Sequence, residues 1–104
     1  MFARRVYIHL KPNSVAEFTK RLEKDILPLL RKQKGFQDEI TFVAQGGKEA
    51  FAISLWDKPE NADTYNRGTY PEVTKMLATV TEGAPQVETF DVANSTFHKI
   101  AVAA

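Results

Sequence analysis

Trp56, Tyr65 and Tyr70 are the only tryptophan and two of the three tyrosines of the chain, and fifteen residues hold them all. One indole and two phenols at that spacing can wall a pocket for a flat aromatic molecule. Their N–H and O–H groups can donate hydrogen bonds to an oxygen that is gaining negative charge. A phenol with a pKa of about 10 is a poor base unless tuned, so donation is the chemistry these tyrosines offer. The competing reading is structural. A strand-end indole with its N–H satisfied, and two rings buried with their hydroxyls in water, also make a core. The residues before the tryptophan favour a pocket. Ala50, Ala52 and Ser54 share a strand face with Trp56 and leave space that Leu, Ile or Phe would fill.

Other chemistry is sparse. His9 and His98 are the only imidazoles. A metal site needs three or four convergent ligands, and none is evident. The chain has no cysteine, which excludes disulfides and thiol chemistry and fits a reducing cytoplasm. There is no G-x-G-x-x-G, P-loop or serine-nucleophile pattern. No metal, flavin, haem or other cofactor is therefore expected. Asp38 and Glu39 are read as decoration of a strand and its loop. The stretch Arg31–Lys34 is read as a solvated helix end.

The elements that position these residues can be read from periodicity. Phe2, Arg4, Val6, Ile8 and Leu10 alternate with Ala3, Arg5, Tyr7 and His9, a strand. Ser14 and Glu17 have capping-box spacing. Val15, Phe18, Leu22, Ile26, Leu29 and Leu30 then form a helical stripe that Pro28 should kink, with Gly35 as a left-handed cap. Alternation resumes over Phe36–Ala44. Gly46-Gly47 is a hairpin turn, and Glu49–Trp56 is a third strand with Phe51, Ile53 and Leu55 on one face. Asp57 with Glu60 caps the next helix, and Pro59 sits in its first turn. Gly68 breaks that helix. Another starts near Thr69 and carries Val73, Met76, Leu77 and Val80. Gly83-Ala84-Pro85 reads as a turn, and Val87–His98 as a fourth strand.

The order β-α-β-β-α-β predicts a ferredoxin-like α+β fold: one antiparallel sheet, strand order 4-1-3-2, helices on one face. His9 and His98 then lie toward opposite edges and cannot pair within one subunit. Neither face of the third strand is polar, so the sheet needs two covers. The helices supply one. A second copy of the chain is the simplest other, which predicts a homodimer. The length of 104 residues makes one domain, 1–104. The net charge of +1 gives no case for nucleic acid or an anionic membrane surface. No apolar run approaches the roughly 20 residues of a membrane span. The N-terminus lacks the apolar stretch of a signal peptide.

Three segments carry a resemblance: "LKPNSVAEF", "LPLLRKQKGF" and "SLWDKPENADTYNRGTY". In this order the chain resembles the antibiotic biosynthesis monooxygenase-like family of the dimeric α/β-barrel superfamily, across essentially its whole length. The resemblance implies one ligand pocket per subunit, between helices and sheet. It places Trp56, Tyr65 and Tyr70 on that pocket as catalytic candidates, with Val6, Ala52 and Ser54 as further substrate-binding positions. Relatives often carry histidine or tryptophan where this chain has Tyr65, and many carry glutamate where it has Ser54. The haem-degrading branch uses an asparagine, a tryptophan and a histidine. The first two positions fall near Val6 and Tyr65, and no histidine lies between His9 and His98, so haem degradation is disfavoured. The quinone-forming branch oxidises phenols with dioxygen and no cofactor, using indole, amide and phenol groups. This chain keeps an indole and two phenols, and Asn61 or Asn66 offers an amide. The reading is a cofactor-independent monooxygenase of a small aromatic or phenolic substrate that lacks an evident base. The alternative is a non-catalytic homodimeric protein that binds a small aromatic ligand.

Overall fold

The computed structural model describes residues 1–100. Its elements are β1 (Phe2–Leu10), α1 (Val15–Arg21), a π turn (Leu22–Ile26), α2 (Leu27–Arg31), β2 (Phe36–Val43), β3 (Glu49–Trp56), α3 (Pro59–Gly68), α4 (Tyr70–Leu77) and β4 (Thr81–Asp91). The four strands form one antiparallel sheet in the order β2-β3-β1-β4. The fold is the expected ferredoxin-like α+β arrangement.

Register follows the side-chain pattern. Val6 opposes Ala52, Ile8 opposes Ala50, and Arg4 opposes Ser54. These residues face the helices. Phe18 and Ile26 from the first helical segment, Leu30 from α2, and Val73 and Leu77 from α4 close over them to make the core with Trp56 and Tyr65. The opposite face carries Ala3, Arg5 and Tyr7 from β1 against Leu55, Ile53 and Phe51 from β3. Ile40 and Phe42 of β2 and Phe90 of β4 extend it, and they remain 52%, 42% and 46% exposed. Phe97 and His98 border this largely apolar face beside Ile40, Ile53 and Leu55, and Ile40, Phe42 and Phe90 stay open.

The first helix departs from expectation at both ends. Ser14 makes no side-chain cap, and Glu17 pairs with Arg21 one turn on at 3.0 Å. Pro28 disrupts the helix as expected, but through a widened turn just before it. The Leu27 N–H donates to Leu22 O, five residues back. The wider turn makes room for a proline ring that would clash with a regular preceding turn and cannot donate to it. It also keeps Leu22, Ile26 and Leu30 on one side.

Gly35 has φ +80° and leads into β2, as its position predicts. A Cβ there would come within 2.1 Å of Asp57 Oδ1. Asp57 is not the cap of α3, which is the extended Lys58; its carboxylate instead accepts from Asn61 Nδ2 at 2.8 Å.

The fourth strand is also corrected. It starts at Thr81 and ends at Asp91, so Gly83-Ala84-Pro85 lies inside it. Gly83 has φ +71°, and the pairing with β1 shifts register between Tyr7 and His9. The bulge sits on an edge strand, where a missing proline N–H is tolerated. The chain beyond Asp91 leaves the sheet. His98 is therefore not a strand residue. Its Nε2 pairs with Asp38 Oδ2, beside the apolar face near Ile40, Ile53 and Leu55.

Candidate functional site

A cavity of about 50 Å³ lies between the helices and the sheet. Its floor is Val6, Ala52 and Ser54. Leu22, Ile26 and Leu30 close one side, and Val73, Thr74 and Leu77 of α4 close the other. Pro85 of the β4 bulge borders it, and Tyr65 and Tyr70 reach into it from α3 and α4. The absence of side-chain bulk on Ala52 leaves this space, since the branched residues above it come from two separate helical segments.

Five of the six expected site residues meet here: Val6, Ala52, Ser54, Tyr65 and Tyr70 line one space. Trp56 does not. It is 0% exposed and sits behind Tyr65, ring centroids 5.2 Å apart, with Phe36 edge-on at 5.6 Å. Its indole N–H donates to Ser54 Oγ at 2.9 Å. The expected wall is thus a core residue that backs the wall. It occupies the strand end, where the start of α3 closes over the sheet. Tyr65 rests on Trp56, and Tyr70 follows at a centroid distance of 6.1 Å.

Two lining residues were not expected. Arg4 is 3% exposed, on the helix side of β1. Its Nη2 donates to Asn66 Oδ1 at 2.8 Å, and its guanidinium carbon stands 3.9 Å from the Tyr70 ring centre and 5.3 Å from that of Tyr65. Asn66 is thereby the amide beside the site; Asn61 holds Asp57. Glu39 is the second. It opposes Ser54 across β2–β3, while Arg4 opposes Ser54 across β1–β3, so the three form one row on the helix-facing side. Two strand spacings put the backbones of Glu39 and Arg4 about 10 Å apart. Thr41 Oγ1 donates to Glu39 Oε2. His9 is exposed on the other face and takes no part.

Burial dominates the electrostatics. It pushes the Tyr65 hydroxyl up to about 12, against the pull of Arg4 in the other direction. Tyr70 is raised for the same reason, again opposed by Arg4. Burial lowers the Arg4 guanidinium below its ordinary value, and the Tyr70 and Tyr65 hydroxyls oppose that. Glu39 is raised by burial, partly offset by the Thr41 hydrogen bond. Both phenols are neutral donors at pH 7. Among the described residues Glu39 is the only carboxyl group bordering the cavity. Among the described residues no cluster of histidine and acidic side chains could hold a metal ion. No helix of the described chain is long and apolar enough to cross a membrane.

The backbone matches solved structures named as antibiotic biosynthesis monooxygenases. One has a TM-score of 0.71 at 14% identity, over 90% of this chain and 100% of that one. The chain has the antibiotic biosynthesis monooxygenase fold. SnoaB, a cofactor-independent oxygenase from Streptomyces nogalater, matches in a variant form at TM-score 0.72 and 13% identity, over 91% of this chain and 95% of that one. A protein of unknown function from Nitrosomonas europaea matches at TM-score 0.75 and 16% identity, over 98% and 95%. No family model and no curated protein matches by sequence. At these identities the likeness is one of fold, and one fold hosts many reactions.

Proposed function

We propose that this chain is a cofactor-independent monooxygenase that oxidises a small phenolic substrate in the cavity between helices and sheet. The observation that carries the reading is the row Glu39–Ser54–Arg4 beneath an otherwise apolar space, faced by Tyr65 and Tyr70. A mostly apolar pocket with a few convergent polar groups is the usual form of a small-molecule site. SnoaB, which shares the fold, is a cofactor-independent oxygenase.

The chemistry divides among the chain's own residues. Glu39, raised by burial, is closer in pKa to a phenol than an exposed carboxylate is, and it takes the phenolic proton. The Tyr65 hydroxyl, which lies within electrostatic reach of Glu39, stabilises the phenolate in a space where water does not compete. The phenolate gives an electron to dioxygen, and the two radicals combine at a ring carbon bearing hydrogen. Loss of water from the resulting hydroperoxide gives a quinone. The ring loses two hydrogens and gains one oxygen atom, and the other oxygen atom leaves as water. At about 50 Å³ the cavity holds only a few waters. The space must therefore widen to admit a substrate, and the groove that Thr74 lines with the Gly83–Pro85 bulge is the route in.

A homodimer belongs to the same reading. Ile40, Phe42 and Phe90 leave the face away from the cavity apolar and open, and a second copy covers it without obstructing the mouth.

The test is incubation of purified protein with phenols under air, following dioxygen by electrode and quinone by absorbance. The expected result is equimolar oxygen uptake and quinone formation. Binding without uptake would assign the cavity to a non-catalytic binding protein.

A further inference from the structure

We infer that the ligand is a small aromatic acid, whose carboxylate is held by Arg4 and the Tyr70 hydroxyl. This rests on the cavity being the ligand site. Arg4 is buried, yet the ion pairs among the described residues are Arg21–Glu17, Arg67–Asp63 and His98–Asp38, and none involves it. A guanidinium carries five N–H donors. Here the side chain donates to the uncharged Asn66 Oδ1 and lies against two aromatic faces with the uncharged Tyr70 hydroxyl beside it. A buried cation without a counter-charge is expensive to keep in a fold. Glu39 does not supply that charge, because it stands two strands away at the far end of the row.

An independent observation points to the same place. The Tyr70 hydroxyl is buried beside the donor-only Arg4 guanidinium, and its own proton has no acceptor. Such groups are rare in folded proteins and mark where a partner belongs. The ring that carries it lies 3.9 Å from the guanidinium carbon. One carboxylate satisfies both, accepting from two N–H groups of the planar fork and from the hydroxyl. A water would satisfy the hydroxyl and leave the cation unpaired. Arg4 also borders a groove lined by Phe2, Ala62, Asp63, Asn66 and Thr89, in which the Asp63 carboxylate pairs with Arg67 and not with Arg4, so Arg4 stands at the junction of that groove and the cavity. A carboxylate anchored there directs its ring over Ala52 and Ser54, toward Glu39.

The test is calorimetric titration of the wild-type protein with 4-hydroxybenzoate and with phenol at pH 7. 4-Hydroxybenzoate should bind at least tenfold more tightly. Arg4→Met should abolish that preference while phenol still binds, Arg4→Lys should restore part of it, and Tyr70→Phe should reduce it severalfold. The wild-type comparison stands even if a variant fails to fold. Equal or tighter binding of phenol to the wild type would overturn this inference and leave the cavity reading intact. Binding of neither compound would overturn both.

Discussion

The Trp56 indole N–H donates to Ser54 Oγ at 2.9 Å, and this bond decides which side chains face the cavity. It ties the indole back against its own strand, where Tyr65 covers it. Tyr65 is thus presented on a rigid aromatic base, and Ser54 keeps a small side chain whose oxygen is already engaged.

Because Ser54 satisfies the indole, filling the cavity from this position disturbs the core. Ser54→Ala leaves a buried N–H unpaired and should cost about 1–3 kcal/mol in urea unfolding. Ala52→Leu makes no such break. It should abolish ligand binding with a melting temperature within a few degrees of wild type. Retained binding in Ala52→Leu would show that the ligand sits elsewhere.

Tyr70→Phe removes a buried hydroxyl whose proton has no acceptor. Such a deletion should raise stability by about 1 kcal/mol, which for a domain of this size moves Tm upward by about 4–8 °C. Differential scanning calorimetry checks it, and a drop in Tm would mean that the hydroxyl is bonded in solution.

Alkaline pH should weaken the fold through Tyr65. Its folded pKa is raised to about 12, so the folded protein keeps this proton after the unfolded chain has lost it. Stability is therefore fully present below pH 10 and falls between pH 10 and 12, at about 1.4 kcal/mol per unit for this group. Tyr70 is raised too and adds to the slope. Tyr65→Phe should match wild type at pH 7 and unfold less steeply above pH 10. Parallel pH profiles of the two would contradict the burial of the Tyr65 hydroxyl.

Much of this was legible in the chain itself. Alternation in β1 and β3 and the stripe from Val15 to Leu30 are enough for the topology, because period two and period 3.6 separate cleanly there. The spacing of Tyr65 and Tyr70 leaves core and pocket both open, and it is the resemblance carried by their segment that implies a pocket between helices and sheet. Arg4 was missed although its signal was present: it is the one charge in the row Phe2, Val6, Ile8, Leu10. Charges in strands are usually solvated, and only packing by α3 and α4 makes this one buried. Glu39 was missed for a related reason. The apolar residues of β2, Ile40 and Phe42, point to the open face, so its polar residues point inward. Gly83-Ala84-Pro85 imitates a turn because a bulge and a turn use the same residue types.

The open face should bring two copies together. Light scattering at micromolar concentration should return twice the chain mass of 11.7 kDa. Phe42→Asp should return the monomer mass, because it places a charge among exposed apolar neighbours far from the cavity. A monomeric wild type would leave that face without its proposed cover.

The most direct measurement is amide chemical-shift mapping of the isotope-labelled protein during titration with 4-hydroxybenzoate and with phenol. The account predicts that saturable shifts cluster at Arg4, Val6, Ala52, Ser54, Tyr65, Tyr70 and Val73, the residues around one cavity. Shifts confined to Ile40, Phe42, Ile53 and Phe90 on the opposite face, or no saturable shifts at all, would contradict it.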